Sequence, residues 1–189
     1  MTPELWLVRH GETAWSRAGK HTGRTDLPLT PEGEAAATAM RPGLAEHDFS
    51  EVFTSPLRRA HDTARLAGFP DAIVDADLAE WDYGDYEGLT TPEIRASVPG
   101  WTIWTHPCPG GEPAEHVAQR LDRFLAKIRS VDGDTLVFAH GHSLCALAAR
   151  WLELPVRDGR LFRLGTTTAS VLGEFHEAPV VQRWNNPLL

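Results

Sequence analysis

Arg9-His10-Gly11-Glu12-Thr13 stands directly behind the apolar run Leu5-Trp6-Leu7-Val8, so an imidazole and a guanidinium are delivered to the end of a predicted strand. That pair suits phosphorus chemistry. A neutral imidazole nitrogen can attack phosphorus and carry the phosphoryl group covalently, while the planar guanidinium clamps charged oxygens and keeps its proton near neutrality. One short string carries little specificity, and partners for it occur further along the chain. They are Thr54-Ser55-Pro56-Leu57-Arg58-Arg59-Ala60, then Leu78-Ala79-Glu80-Trp81-Asp82-Tyr83-Gly84-Asp85-Tyr86-Glu87-Gly88, then Val137-Phe138-Ala139-His140-Gly141-His142. The last offers two imidazoles, but a zinc site wants three or four placed ligands, and no Cys or Asp/Glu-His set completes one. No metal is expected.

In this order, and with Thr22-Gly23-Arg24-Thr25-Asp26 between the first two, these segments resemble the histidine phosphatase superfamily, also called the phosphoglycerate mutase-like family. The resemblance spans nearly the whole chain. It implies that His10 is the nucleophile and that Arg9 and Arg59 are the two phosphate-clamping arginines. The family's pattern takes the arginine immediately before Ala60, which leaves Arg58, about 100° away around a helix, to the surface or a salt bridge. His140 takes the place of the second histidine, a charged or hydrogen-bonding group on the transferring phosphoryl.

Glu80 corresponds to the general acid/base, because Gly84 and Gly88 align with the pattern and select it over Asp82, Asp85 and Glu87. Such a carboxylate protonates the leaving alkoxide and later takes a proton from water. The resemblance places Thr13, Thr22 and Gly23 along the phosphate pocket, with Arg24 either there or in a solvated turn. Ser16 stands where the family's mutases often carry asparagine, a shorter hydrogen-bonding group. Tyr83 and Gly141 are expected near the substrate, and His142 contacts it or supports a residue that does. No organic cofactor is implied, since two arginines and a histidine supply the charge stabilisation.

The elements that must position these groups alternate. Leu5 to Val8, Val52 to Thr54, Ala72 to Val74 and Thr135 to Ala139 read as strands. Helices are expected over Pro31 to about His47, opened by Thr30-Pro31 and interrupted at Pro42-Gly43, and over Leu57 to Ala67. Between Glu112 and Val131, Val117, Leu121, Phe124, Leu125 and Ile128 recur at helical spacing, with Arg120, Asp122, Arg123 and Lys127 on other faces. A last helix runs from His140 through Leu152 towards Pro155, followed by strands at Leu161 to Leu164, Ser170 to Phe175 and Val180 to Trp184. The fold class expected is α/β: a three-layer sandwich with a mainly parallel central sheet flanked by helices, its site beyond the strands' carboxyl ends.

The 189 residues fit one domain, 1–189, large enough to bury a substantial core. With 18 basic and 26 acidic residues the formal charge is -8, which argues against nucleic acid or an anionic membrane as partner. The expected partner is a small phosphorylated substrate; the oligomeric state is left open. Cys108 and Cys145 are too few for a disulfide framework, the N-terminus lacks a signal-like apolar stretch, and no apolar run reaches membrane-spanning length, so a cytoplasmic location is expected.

The motifs serve both hydrolases and phosphoglycerate mutases. The family's mutases carry a long basic insertion between the acid/base segment and the second histidine, whereas Leu89 to Gly111 offers only Arg95 as a strong cation, beside Trp101, Trp104 and His106. Metal-independent hydrolysis of phosphomonoesters through a phosphohistidine is therefore expected, and the strings Glu80 to Gly88, Phe138 to His142, Trp15-Ser16 and His21 to Thr30 resemble an acid and sugar phosphatase subgroup of the family, which implies sugar phosphates or bisphosphates as the substrate class. The alternatives are a cofactor-dependent mutase and a non-catalytic phosphate-binding module. Trp101 and Trp104 read either as packing residues or as a lid over a sugar.

Overall fold

The computed structural model describes residues 3–187; Met1 and Thr2, which belong to the N-terminal segment read above, and the last two residues of the expected domain lie outside the described residues. In chain order the elements are β1 (Leu5–Arg9), α1 (Ala14–Arg17), α2 (Pro31–Ala39), α3 (Arg41–Ala45), β2 (Glu51–Thr54), α4 (Arg58–Leu66), β3 (Ile73–Val74), α5 (Thr91–Ser97), α6 (Ala114–Ile128), β4 (Thr135–Ala139), α7 (Gly141–Trp151), β5 (Thr168–Phe175) and β6 (Ala178–Pro187). Short 3-10 turns occupy Ala76–Leu78, Gly84–Tyr86 and Val156–Leu161.

The strands form a six-stranded sheet in the order β3-β2-β4-β1-β5-β6. β3, β2, β4 and β1 run parallel, while β5 and β6 are antiparallel to their neighbours. β1 and β4 lie inside the sheet, and their unbroken apolar runs are explained by burial on both faces. Side chains alternate across the pleat. Leu5, Leu7, Val137 and Ala139 join Val117, Leu121 and Phe124 of α6 and Leu144, Leu147 and Ala148 of α7 in one core. Trp6, Val8, Leu136 and Phe138 face the other way and pack on Met40, Leu44, Ala64 and Ala67 around α2, α3 and α4. Helices on both faces of a mainly parallel sheet make the three-layer α/β sandwich.

Three local expectations need correction. The break in the first helical region falls at Met40, not at Pro42-Gly43, because Pro42 sits in the first turn of α3, where a missing N–H costs nothing. Leu161 to Leu164 is no strand; it leaves a 3-10 turn and its carbonyls are taken by side chains rather than by a ladder. Arg120 is buried, not on an outer face of α6. It pairs with Glu112 and donates to the carbonyls of Asp77 and Ala79, which fixes the segment entering Glu80.

Among the described residues no helix is long and apolar enough to cross a membrane.

Candidate active site

Three adjacent parallel strands end at the same level. The register pairs Arg9 with Ala139 and Thr54 with Phe138, so His10, Ser55 and His140 emerge together past the carboxyl edge of the sheet. The ladder continues one step beyond the strands: His10 N–H donates to the Ala139 carbonyl at 2.9 Å, and Ser55 N–H to that of Phe138 at 2.9 Å. The two imidazoles consequently stand close, with ring centroids 5.2 Å apart.

His10 is 5% exposed and its Nδ1–H donates to the Gly11 carbonyl at 2.7 Å. That bond assigns the tautomer and leaves Nε2 with its lone pair on a ring that lines the pocket. Burial, reinforced by the positive charges of Arg9 and Arg59, holds the ring's pKa well below the ordinary histidine value. A neutral imidazole is the form a nucleophile requires. Arg9 donates to the Leu164 carbonyl at 2.5 Å, while its Nε is buried without an acceptor among the described residues.

His140 is fully buried and spends both nitrogens on protein. Arg59 Nε–H donates to its Nδ1 at 3.1 Å, so Nε2 carries the proton and donates to Ser55 Oγ at 2.7 Å. Burial and then Arg59 push its pKa well down. Arg59 is likewise 0% exposed: Nη1 bonds the Thr25 carbonyl and Nη2 those of Thr22 and Gly23. From the other side Glu87 accepts from the N–H groups of Gly23, Arg24 and Thr25 and from the Thr25 hydroxyl. The Thr22–Thr25 turn is thus clamped between a buried cation and a carboxylate. Only glycine fits at its tightest point, since a Cβ on Gly23 would collide with Glu87 Oε1 and the Trp81 carbonyl.

Glu80 sits at the N-terminus of α7. Oε1 accepts from the N–H groups of Trp81 and Ser143, at 2.9 and 2.8 Å, and Oε2 from that of His142 at 3.0 Å. A helix N-terminus favours a negative group. The neighbouring acids are engaged elsewhere: Asp82 pairs with Arg24, and Glu87 holds the turn just described. His142 Nδ1 and the Tyr83 hydroxyl share a 2.5 Å hydrogen bond. Burial and Glu80 push the Tyr83 hydroxyl well above its usual pKa, so it stays protonated. Burial lowers His142 to about 4, and burial with His142 lowers His21 to about 4.

An open pocket of about 370 Å3 gathers Arg9, His10, Ser16, Thr22, Glu80, Tyr83, Gly141 and His142 on its walls. Gly141 lies flat against Arg9, where a Cβ would stand 3.3 Å from its Cζ. The other four expected residues lie behind the walls rather than on them. Thr13 and Ser16 form the capping box of α1, each side chain accepting the other's backbone N–H, so the Thr13 hydroxyl is buried in structural use. Gly23 and Arg59 belong to the clamped turn, and His140 is the floor beneath His10. Arg58 is on the surface, paired with Asp62. Trp101 is core, whereas Trp104 lines the pocket.

Sequence reasoning passed over Lys20, His21, Cys145 and the Phe162–Leu164 segment, all on the pocket wall. Lys20 and His21 adjoin Thr22-Gly23 and were within reach of that clue; Arg163 carries no local signal at all. Burial lifts the Cys145 thiol to about 12, so it is inert. Among the described residues no three His, Cys, Asp or Glu side chains converge as a metal cage. What the arrangement can do is present a neutral imidazole, a guanidinium and a carboxylate to one small anionic ligand.

Known proteins agree with this geometry. The family model of the histidine phosphatase superfamily (branch 1) matches residues 5–187. An acid phosphatase of Mycobacterium tuberculosis is 45% identical over 176 residues, covering 91% of this chain and 87% of that one. A sedoheptulose 1,7-bisphosphatase of Saccharomyces cerevisiae is 38% identical over 192 residues, covering 83% and 70%. The solved structure of an open reading frame from Mycobacterium tuberculosis superposes with a TM-score of 0.95 at 40% identity, over 100% of both chains. With the family's four motifs meeting at one strand edge and its model covering the sheet from β1 to β6, the chain belongs to the histidine phosphatase superfamily, branch 1.

Proposed function

We propose that this chain is a phosphatase of small phosphorylated metabolites, sugar phosphates or bisphosphates among them, that works through a phosphohistidine and without a metal. One observation carries the reading: His10 is tied through Nδ1–H to its neighbour's carbonyl, which leaves Nε2 unprotonated in the pocket that Arg9 also lines. Nε2 attacks phosphorus, the ester P–O bond breaks, and Glu80, which enters this step as the carboxylic acid, gives its proton to the leaving oxygen and becomes the carboxylate. Water then attacks the phosphohistidine, Glu80 takes its proton, the P–N bond breaks and neutral His10 is restored. Arg9 holds the equatorial oxygens. Arg59 and His140 act from beneath, Arg59 by adding its charge to the burial that keeps both imidazoles unprotonated and by fixing the turn that carries Thr22.

The names of the relatives, acid phosphatase and sedoheptulose 1,7-bisphosphatase, support hydrolysis over isomerisation. The chain acts as one domain in the cytoplasm, consistent with two buried free thiols. Rapid quench with a labelled phosphomonoester in EDTA tests the reading. Label on His10, lost in His10→Ala, together with phosphate release is expected. Isomerisation of 3-phosphoglycerate that depends on 2,3-bisphosphoglycerate, without net release, would establish a mutase instead.

A further inference from the structure

We infer that Lys20 and Arg163 form a seat for a second anionic group on the substrate, so that the pocket prefers phosphomonoesters bearing a further phosphate or a carboxylate. The inference rests on the hydrolase reading above and specifies its substrate class.

Both cations line the same pocket as His10, yet they come from segments far apart in the chain. Neither has an ion-pair partner among the described residues, unlike Arg24, which pairs with Asp82. The Lys20 ammonium lies 5.8 Å from the Trp15 ring centroid, which seats its stem without using its donors. Glu80 is the one carboxylate among the described residues lining the pocket, and three backbone N–H groups already hold it.

Their backbones are pinned. Lys20 N–H donates to the Trp15 carbonyl at 2.9 Å, and Lys20 forms an isolated antiparallel bridge with Thr90. Around Arg163, three successive carbonyls accept from three different side chains: Phe162 from Cys145 Sγ, Arg163 from Trp184 Nε1 and Leu164 from Arg9 Nη1. The last of these ties the segment bearing Arg163 to the arginine beside the nucleophile. Pinned backbone bringing two unpaired cations to one concavity is what recognition of a charged group needs, because only their side-chain rotamers remain to be ordered on binding. In a chain of net charge -8 the pocket is a local positive field.

The expected consequence is selectivity. Steady-state kinetics on a ketose 1-monophosphate, a ketose bisphosphate and 3-phosphoglycerate should be compared for wild type and the double variant Lys20→Met/Arg163→Met. The double variant should raise KM for the bisphosphate about tenfold more than for the monophosphate, with kcat little changed and Arg163→Lys retaining most of the preference. A parallel rise for 3-phosphoglycerate would show that a carboxylate also occupies the seat; no such rise would restrict it to phosphate. Equal losses on the bisphosphate and the monophosphate overturn the seat while hydrolysis stands. If no compound releases phosphate, the hydrolase reading falls instead. Calorimetric binding of the bisphosphate and the monophosphate then still decides the seat, which is overturned if the variant weakens both alike.

Discussion

In the proposed mechanism Glu80 and His10 divide the chemistry between a proton and a phosphoryl group, and the division is testable at the residue scale. A general acid matters in proportion to the basicity of the leaving group. Glu80→Gln keeps the shape and most hydrogen-bonding capacity of the side chain but cannot donate the proton, so turnover of an alkyl phosphate should fall about a hundredfold or more. Hydrolysis of an aryl phosphate, whose leaving group departs unaided, should fall far less. Equal losses on both would remove Glu80 from proton transfer. The residues proposed as catalytic were legible in the sequence because each sits in a short motif of the family, His10 and His140 just past strand ends, Arg59 in the first turn of a helix and Glu80 after a 3-10 turn. Lys20 and Arg163 were not, since what makes them pocket residues is the crossing of distant segments. His140 was legible as a residue but not in its use: only the structure shows both its nitrogens engaged by Arg59 and Ser55.

Among elements, the Thr22–Thr25 turn concentrates the most constraint, held by Arg59 on its carbonyls and Glu87 on its amides. Gly23→Ala forces a methyl into Glu87 and the Trp81 carbonyl, and such overpacking costs about 1–3 kcal/mol. Thermal unfolding should report that loss, and turnover should drop with it because Thr22 and His21 move with the turn. Unchanged stability and activity would show the turn to be plastic. The strands and longer helices were readable from period and punctuation. The short helix α5 carries a capping box, Thr90 with Glu93, that the sequence displays openly, yet only seven residues follow it and its apolar pattern is too brief to declare itself. The expected strand at Leu161 to Leu164 failed for the opposite reason, because apolar residues in extended backbone imply a ladder only when a neighbouring strand, rather than side chains, takes their carbonyls.

At the scale of the whole molecule, burial of His21 and His142 couples folding to pH. Both are lowered to about 4 in the folded protein, against an ordinary value of about 6.5 when unfolded. Between those values the unfolded chain binds more protons, so stability rises with pH across the window and is lost as pH falls from about 6.5 towards 4. His10 and His140 shift in the same direction. The midpoint of thermal unfolding should therefore decline steadily below pH 6.5, with a shallower decline in His142→Asn; a flat profile from pH 7 to 5 would refute the linkage. The sheet register carries a separate consequence. Because Arg9 is paired with Ala139 across neighbouring parallel strands, the gap between the imidazoles of His10 and His140, 5.2 Å between ring centroids, tracks the spacing of strands, about 4.8 Å. Backbone hydrogen bonds act as the ruler for the proposed reaction, while Lys20, Trp104 and Arg163 hang from loops and a turn. An engineer can recut the rim for a new metabolite and leave the reacting distances untouched.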